Sequence, residues 1–261
     1  MECRICGNEH LKLYYNQGNK DQYEFYKCSN CKVINLKIPE KTDQNKYAYV
    51  YINPLDKNHK QNKDHFKTYR FIKKIIGVKG KYLDIGCGNG RLLDLFRKDG
   101  WNVHGLELSQ FLADKIKEHL GIEVTVANFL DYESKERYNL VTLRHVLEHL
   151  PDPILAMKKI NNLLEEGGTA ELEFPNIEGL SLRFKRFFNR LGLFKKKYSD
   201  DYIPGHCNEY SKKSFKYLLS ITGFELVKWV TYSSKPITNL LYYYIPIGCK
   251  ARVIIRKKQT I

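Results

Sequence analysis

The stretch KYLDIGCGNGRLLDLF, residues 81–96, decides the fold. An apolar run suited to a buried strand carries Asp84 near its end; Gly86, Gly88 and Gly90 follow, and apolar residues then recur at helical spacing. Glycines set so closely let the backbone pass against a ligand with no side chain in the way. Their spacing rules out two common occupants. A nucleoside-triphosphate loop needs Lys-Ser or Lys-Thr after its last glycine, and neither follows here. A dinucleotide turn needs G-x-G-x-x-G, whereas this one reads G-x-G-x-G. Asp84 would also repel a phosphate, and it suits a cation.

Outward from this turn, strands and helices alternate. The pattern predicts strand 81–85, helix 91–99, strand 102–107, helix 109–119, strand 122–126, strand 138–143, helix 153–164 and strand 169–174. Such alternation means an α/β, doubly wound parallel sheet. Upstream, Phe66, Tyr69 and Ile72 suggest a helix leading to Gly77. After Pro175 a basic, aromatic interruption runs to about Tyr210. Helix 212–222, strand 224–232 and the closing segment KARVIIRKK (250–258) follow, the last two strands forming an antiparallel edge pair. Glu107 ends the strand after the glycine turn, where doubly wound folds bind a ribose diol, and a carboxylate accepts from both hydroxyls. Two carboxylates flanking a bend without side chains suit an adenosine-bearing cation.

In this order the residues resemble the class I S-adenosylmethionine (SAM) methyltransferases, over roughly residues 65–232. LDIGCGNG (83–90) is similar to that family's first motif, and Glu107 to its ribose-binding acid. ANFLD (127–131) lies where the family contacts adenine, with Asn128 in place of the commoner acid; its amide oxygen still accepts from an amino group. YNLVTLRHVLEHLPDP (138–153) resembles the fourth strand and its turn, and LLEEGGTAELEFPN (163–176) the fifth. The resemblance implies a seven-stranded Rossmann-like sheet with SAM as methyl donor. It assigns cofactor contacts to Asp84, Gly86, Cys87, Gly88 and Gly90 in the turn. Glu107 with Leu108, Asn128 with Phe129, and Arg144 on the methionine carboxylate complete the set.

Two cysteine pairs stand at the front. Cys3-x-x-Cys6 and Cys28-x-x-Cys31 are separated by 21 residues. Each turn aims two thiolates at one ion, and together they complete a tetrahedral four-cysteine zinc site. Four thiolates leave no open position, so the zinc is structural, as a staple for a small ribbon. Cys87, Cys207 and Cys249 have no sequence partner of this kind and read as ordinary thiols.

Transfer from a sulfonium is an in-line displacement, so a hydroxyl or amine acceptor needs alignment and a base. HVLEH (145–149) differs from the H-E-x-x-H of zinc proteases. If helical, it puts His145, Glu148 and His149 on one face. The stretch also resembles the E-x-x-E-H of small-RNA 3′-end 2′-O-methyltransferases, which with a later histidine binds a divalent ion, although His145 here replaces the first acid. The assignment preferred is His145 lining the donor and acceptor pocket, with Glu148 and His149 hydrogen bonding before Pro151. Related small-substrate methyltransferases carry a P-x-H stretch resembling that in DDYIPGHCNEYS (200–211), which makes His206 the first choice of general base. In the basic interruption, Leu180, Phe184, Phe187, Phe188 and Leu191 share one helical face; Arg183, Lys185, Arg186 and Arg190 lie elsewhere, and Lys195–Lys197 extend the charge. This is read as a lid packed over the pocket, with contact of 180–197 to an anionic substrate or a lipid surface as a second role.

The organisation that follows is a zinc ribbon (1–38), a polar linker (39–64) holding the run YAYVYI (47–52), and a methyltransferase domain (65–261) with a basic lid insertion at 176–210. The chain of 261 residues is 43% hydrophobic, enough for one sizeable core. No run approaches the roughly eighteen apolar residues of a membrane span, and MECRICGNEH lacks a signal-peptide core, so the expected location is the cytoplasm, with peripheral contact to the membrane's inner face. Lys and Arg number 44 against 29 Asp and Glu, a formal +15 that attracts nucleic acid, anionic lipid or phosphorylated sugars. Ribbon, linker and SAM domain together resemble bacterial methyltransferases of surface-polysaccharide and antibiotic-sugar pathways. That implies O-transfer to a small molecule, a nucleotide- or lipid-linked sugar. An RNA methyltransferase and a non-catalytic SAM-fold scaffold with a zinc interaction module are the rivals.

Overall fold

The structure is a computed structural model that describes residues 1–38, 51–191, 193, 197–199, 202–233 and 247–259; the side chains of residues 189 and 190 are not described. Tyr47–Val50 of the aromatic run, Lys195 and Lys196 lie outside these residues. The chain opens with β1 (Leu11–Gln17), β2 (Tyr23–Cys28) and β3 (Ile34–Leu36). It continues through α1 (Lys60–Lys73), β4 (Lys81–Ile85), α2 (Arg91–Lys98), β5 (Asn102–Glu107), α3 (Gln110–Leu120), β6 (Val124–Val126) and β7 (Tyr138–Arg144). Then come α4 (Pro153–Leu163), β8 (Leu164–Pro175), α5 (Leu180–Arg190), β9 (Asn208–Glu209), α6 (Lys212–Ile221), β10 (Phe224–Tyr232) and β11 (Lys250–Lys257).

Seven strands form one sheet in the order β10-β11-β8-β7-β4-β5-β6. The parallel pairs are β7 with β8, β4 with β7, β4 with β5, and β5 with β6. β11 runs antiparallel to both β8 and β10, giving the expected edge pair. The alternation of side chains along each strand feeds two cores. Leu83, Ile85, Val141, Leu143, Leu172 and Phe174 pack with α4 and α6. Tyr82 and Leu140 face the opposite way, with Ile72 of α1, Leu93 and Phe96 of α2, and Ile116 of α3.

Two boundaries differ most from the sequence reading. α1 starts at Lys60, inside the stretch assigned to the linker, because the His59 side chain caps it by accepting from the Gln61 amide. The strand over 169–174 begins at Leu164, directly after α4.

The ribbon is not a separate bead. β3 pairs with β9 through Ile34↔Glu209 and Asn35↔Asn208, extending the small sheet β1-β2-β3-β9 into the interruption after β8. Cys3, Ile5 and Val33 belong to the same buried cluster as Leu83 and Phe174. Arg186 of α5 donates to the Ile177 carbonyl at 3.1 Å and to Glu209 at 3.3 Å, and lies over the rings of Tyr14 and Tyr15. The expectation that the apolar face of this helix packs down as a lid is not met: Phe184, Phe187, Phe188 and Leu191 are each more than 40% exposed. The helix is held by its arginine, and the aromatic face looks outward.

Candidate active site

The glycine turn connects β4 to α2, and its three glycines do different work. Gly86, Gly88 and Gly90 all have positive φ, the region that side chains avoid. A Cβ on Gly86 would meet Val146 at 2.7 Å, and one on Gly90 would meet Ile116 at 3.0 Å, so these two permit close packing. A Cβ on Gly88 would meet nothing within 4 Å. Gly88 therefore opens the cradle where a ligand can lie.

Two carboxylates border that cradle. Asp84 is 3% exposed and accepts a 2.5 Å hydrogen bond from Thr142, whose hydroxyl also pairs with Tyr82. Burial raises its pKa to about 6, and the neighbouring Glu107 adds to the effect. Glu107 is fixed by backbone amides: Oε2 accepts from Gly88, and Oε1 from Leu108 and Ser109, at 2.9, 2.9 and 3.1 Å. Three of about four lone-pair positions are thus filled, leaving one for a hydroxyl; a second hydroxyl would displace the Gly88 bond. Two carboxylates beside a turn bare of side chains fit a sulfonium-bearing nucleoside.

The remaining expected cofactor residues are spread around this cradle. Leu108 is 40% exposed beside Glu107, and β6 pairs Val126 with Glu107, which brings Asn128 to the same sheet edge. Asn128 is exposed, and its side-chain oxygen accepts from the Leu130 amide at 3.0 Å, so it shapes the turn as well. Phe129 and Cys87 are buried, and burial pushes the Cys87 thiol up, which leaves it inert. Arg144 has another partner than the one expected: its Nη2 lies 3.2 Å from both oxygens of Glu173.

Sequence reasoning missed a polar layer between α1 and the sheet. Asn89 donates to Asn62 of α1 at 2.9 Å and to the Ile52 carbonyl at 3.1 Å, tying residues 51–62 over the turn. Tyr51 packs edge-on against Phe111, 6.3 Å between centroids. Beneath α1, Glu173 also binds Arg252 at 2.8 Å, while both oxygens of Glu171 and Nδ1 of His65 are buried without hydrogen bonds. Burial raises Glu171 and holds His65 well below its ordinary value, so both are neutral. The signal in the sequence was the alternation T-A-E-L-E-F, whose acids must face somewhere.

HVLEH is not helical throughout. His145 has φ of +56°, and only Leu147–His149 form a single 3₁₀ turn. The positive φ at His145 keeps a helix from starting there, and Leu150, extended before Pro151, ends the turn. His145 still reaches Glu148, Nδ1 to Oε1 at 3.1 Å, and its Nε2 lies 3.1 Å from Glu173. Burial opposes its charge, yet hydrogen bonds to the two acids outweigh burial and raise its pKa to about 9. Already protonated at neutral pH, it bridges carboxylates and cannot take a proton.

His149 and His206 differ from it. Burial lowers both, so both are neutral imidazoles. Their rings stand 77° apart with centroids at 4.9 Å, and His149 Nδ1 is 2.8 Å from the Gly205 carbonyl. The segment carrying His206 is clamped between ribbon and 3₁₀ turn. The Cys207 amide donates to the Glu148 carbonyl at 2.8 Å, and Arg4 donates to the Cys207 carbonyl at 2.8 Å. Structure therefore brings together two histidines that lie far apart in the sequence.

The four ribbon cysteines also converge. Cys3 and Cys31 lie 3.4 Å apart at sulfur, Cys6 and Cys28 3.5 Å, and all four sulfurs fall within 4.8 Å of one another. Thiolates around a tetrahedral zinc at ~2.3 Å stand about 3.8 Å apart. Gly7 and Lys32, each following the second cysteine of a pair, share φ of +67° and +68°. The two knuckles thus repeat one geometry, and the donor set fits zinc. Glu148, His149 and His206 form the other cluster of metal-ligating atoms within 4.8 Å among the described residues.

Comparison with known proteins identifies the family and the fold. A family described as a methyltransferase domain matches residues 57–228. The ubiquinone biosynthesis O-methyltransferase of Coxiella burnetii (strain Dugway 5J108-111) is 30% identical over 171 residues, 59% of this chain and 71% of the relative. That of Actinobacillus pleuropneumoniae serotype 7 is 30% identical over 107 residues, 36% of this chain and 46% of the relative. Among solved structures, the PH0226 protein of Pyrococcus horikoshii OT3 superposes with a TM-score of 0.58 at 16% identity, covering 78% of this chain and 94% of that one. NodS, an N-methyltransferase from Bradyrhizobium japonicum WM9 in complex with S-adenosyl-L-homocysteine, gives 0.54 at 11% identity, covering 77% and 89%. These structural likenesses speak for the fold.

Proposed function

Because the chain belongs to the methyltransferase family, whose domain spans residues 57–228, and is a SAM-dependent methyltransferase, we propose that it methylates a hydroxyl of a small-molecule acceptor, an activated sugar carried on a nucleotide or a lipid. SAM supplies an electrophilic methyl group on a sulfonium. Asp84 and Glu107 orient it through its cationic and ribose ends, and Gly88 leaves room for it. The new O–CH3 bond forms as the S–CH3 bond breaks, and the hydroxyl proton must leave. The observation that carries the reading is the pair His149 and His206, ring centroids 4.9 Å apart, beside buried Glu148 on the segment after β7, whose Val146 packs at Gly86 of the glycine turn. Of these, His206 is the assigned proton acceptor.

Three further supports bear on the acceptor and its surroundings. The relatives above are named as O-methyltransferases, which favours oxygen over nitrogen. The formal charge of +15 favours an acceptor with a diphosphate. The exposed aromatic face of α5, with exposed Arg183 and Lys185, favours work at the cytoplasmic face of a membrane. Zinc held by Cys3, Cys6, Cys28 and Cys31 has a structural role in this reading. The test is to incubate the protein with SAM and a panel of nucleotide sugars, lipid-linked sugars, phenols and tRNA. Release of S-adenosylhomocysteine with a methyl ether formed on a sugar is the expected result; turnover confined to amines or RNA would overturn it.

A further inference from the structure

The Glu148 carboxylate is 1% exposed, and half of it has nothing to do. Oε1 pairs with His145, while Oε2 is buried with no hydrogen-bond partner. A buried carboxylate oxygen without a partner is costly, so such an atom points to a ligand that fills the gap. The same carboxylate is grouped with His149, one residue on, and His206, brought in from a remote segment, with one ligand atom of each of the three within 4.8 Å of the others. The contact of His149 Nδ1 with the Gly205 carbonyl, 2.8 Å, places the ring proton on Nδ1 and the lone pair on Nε2. A backbone carbonyl holding the far nitrogen is the outer support that metal-binding histidines use. Glu148 has the same kind of support from His145. The elements that carry these side chains are fixed as well, through the Cys207 amide on the Glu148 carbonyl and Asn208 on the Leu150 carbonyl, both 2.8 Å.

We propose that Glu148, His149 and His206 form a metal centre distinct from the ribbon, taking a borderline divalent cation such as Zn²⁺, Co²⁺ or Mn²⁺. Two imidazoles and one carboxylate suit these ions better than Mg²⁺ or Ca²⁺, which prefer all-oxygen sets. Three protein ligands leave coordination positions open, unlike the four thiolates of the ribbon. On the O-transfer reading, those positions take the acceptor oxygens next to the donor turn, and the cation acidifies the hydroxyl that will be methylated. His206 then acts as a ligand in place of its role as proton acceptor, and the hydroxyl proton passes to solvent water as the metal-bound oxygen takes the methyl group. Only this role rests on the proposed function; binding of the ion does not.

Metal-free protein titrated with Co²⁺ tests the proposal directly. The wild type should take two equivalents: one with the intense thiolate-to-cobalt absorption of an all-sulfur site, and one with only weak ligand-field bands. Glu148→Gln and His206→Ala should each weaken the second by more than about a hundredfold, beyond the loss of an outer partner, and leave the thiolate band intact. Affinity for S-adenosylhomocysteine, measured by calorimetry, should be unchanged in both variants, which shows them folded. A wild type that saturates at one thiolate-type equivalent overturns the proposal without reference to any variant. So does retention of both equivalents in Glu148→Gln. Loss of S-adenosylhomocysteine binding in the wild type would instead defeat the methyltransferase reading.

Discussion

At the scale of single residues, the proposed donor site includes a carboxyl group that its surroundings discourage from ionising. Asp84 is buried, and its pKa lies at about 6 because burial and Glu107 outweigh the help from Thr142 and Arg144. A cationic ligand reverses that balance by favouring the carboxylate. The sign follows: the carboxylate is present above about pH 6 and protonated below it, so cation binding weakens as the pH falls. The loss should approach about tenfold per unit well below that value. Calorimetry with S-adenosylhomocysteine, whose ammonium group keeps its charge, should show the affinity dropping from about pH 7 to about pH 5, centred near 6. Asp84→Asn should bind weakly and nearly independently of pH over that range; an unaltered slope in the variant would remove Asp84 from the site. Asp84, Glu107 and the glycines were legible in the sequence because a turn states its own geometry locally. Asn62, His65, Glu171 and Arg252 were not, because their partners are set by which strands and helices end up adjacent.

At the scale of elements, the ribbon and the acceptor side form one device. Arg4 sits between the first two cysteines, yet its guanidinium reaches the Cys207 and Leu36 carbonyls, while its amide donates to Asn35. The Tyr23 hydroxyl donates to the Tyr202 carbonyl at 2.7 Å, and Tyr202 donates to Gln17 at 2.6 Å. The knuckle fold therefore fixes the segment that presents His206. With zinc held by the four cysteines as proposed, its chelation should accelerate amide exchange at residues 202–210 as well as 1–38, with β4 and its glycine turn unaffected. Exchange confined to the first 38 residues would show the ribbon to be an independent module. The sequence announced the ribbon through its cysteine spacing. It could not announce β9, two residues long, whose existence depends on β3 being there to pair with it. The HVLEH turn misled for a related reason, since spacing says nothing of the backbone at His145, whose φ of +56° keeps it out of a helix.

At the scale of the whole molecule, the sheet and its flanking helices were readable because period-two and helical patterns alternate along the chain. The outward face of α5 was not, since spacing says which residues share a face and never what that face meets. Phe184, Phe187 and Phe188 lie on it, and Arg183 and Lys185 are exposed with them. Eleven residues span about 16 Å, half the depth of a bilayer core, so the helix can only lie along a surface. No helix of the described residues is long and apolar enough to cross a membrane. Burying each phenylalanine is worth about 1.5–3 kcal/mol, and the basic residues add attraction to anionic headgroups that salt screens. The protein should therefore float with vesicles containing phosphatidylglycerol and much less with neutral ones. Phe184→Ser with Phe187→Ser should abolish flotation even at low salt, with S-adenosylhomocysteine affinity intact. Binding to anionic vesicles that survives this double change, and vanishes only with salt, would mean that net charge alone is responsible and that the aromatic face serves another partner.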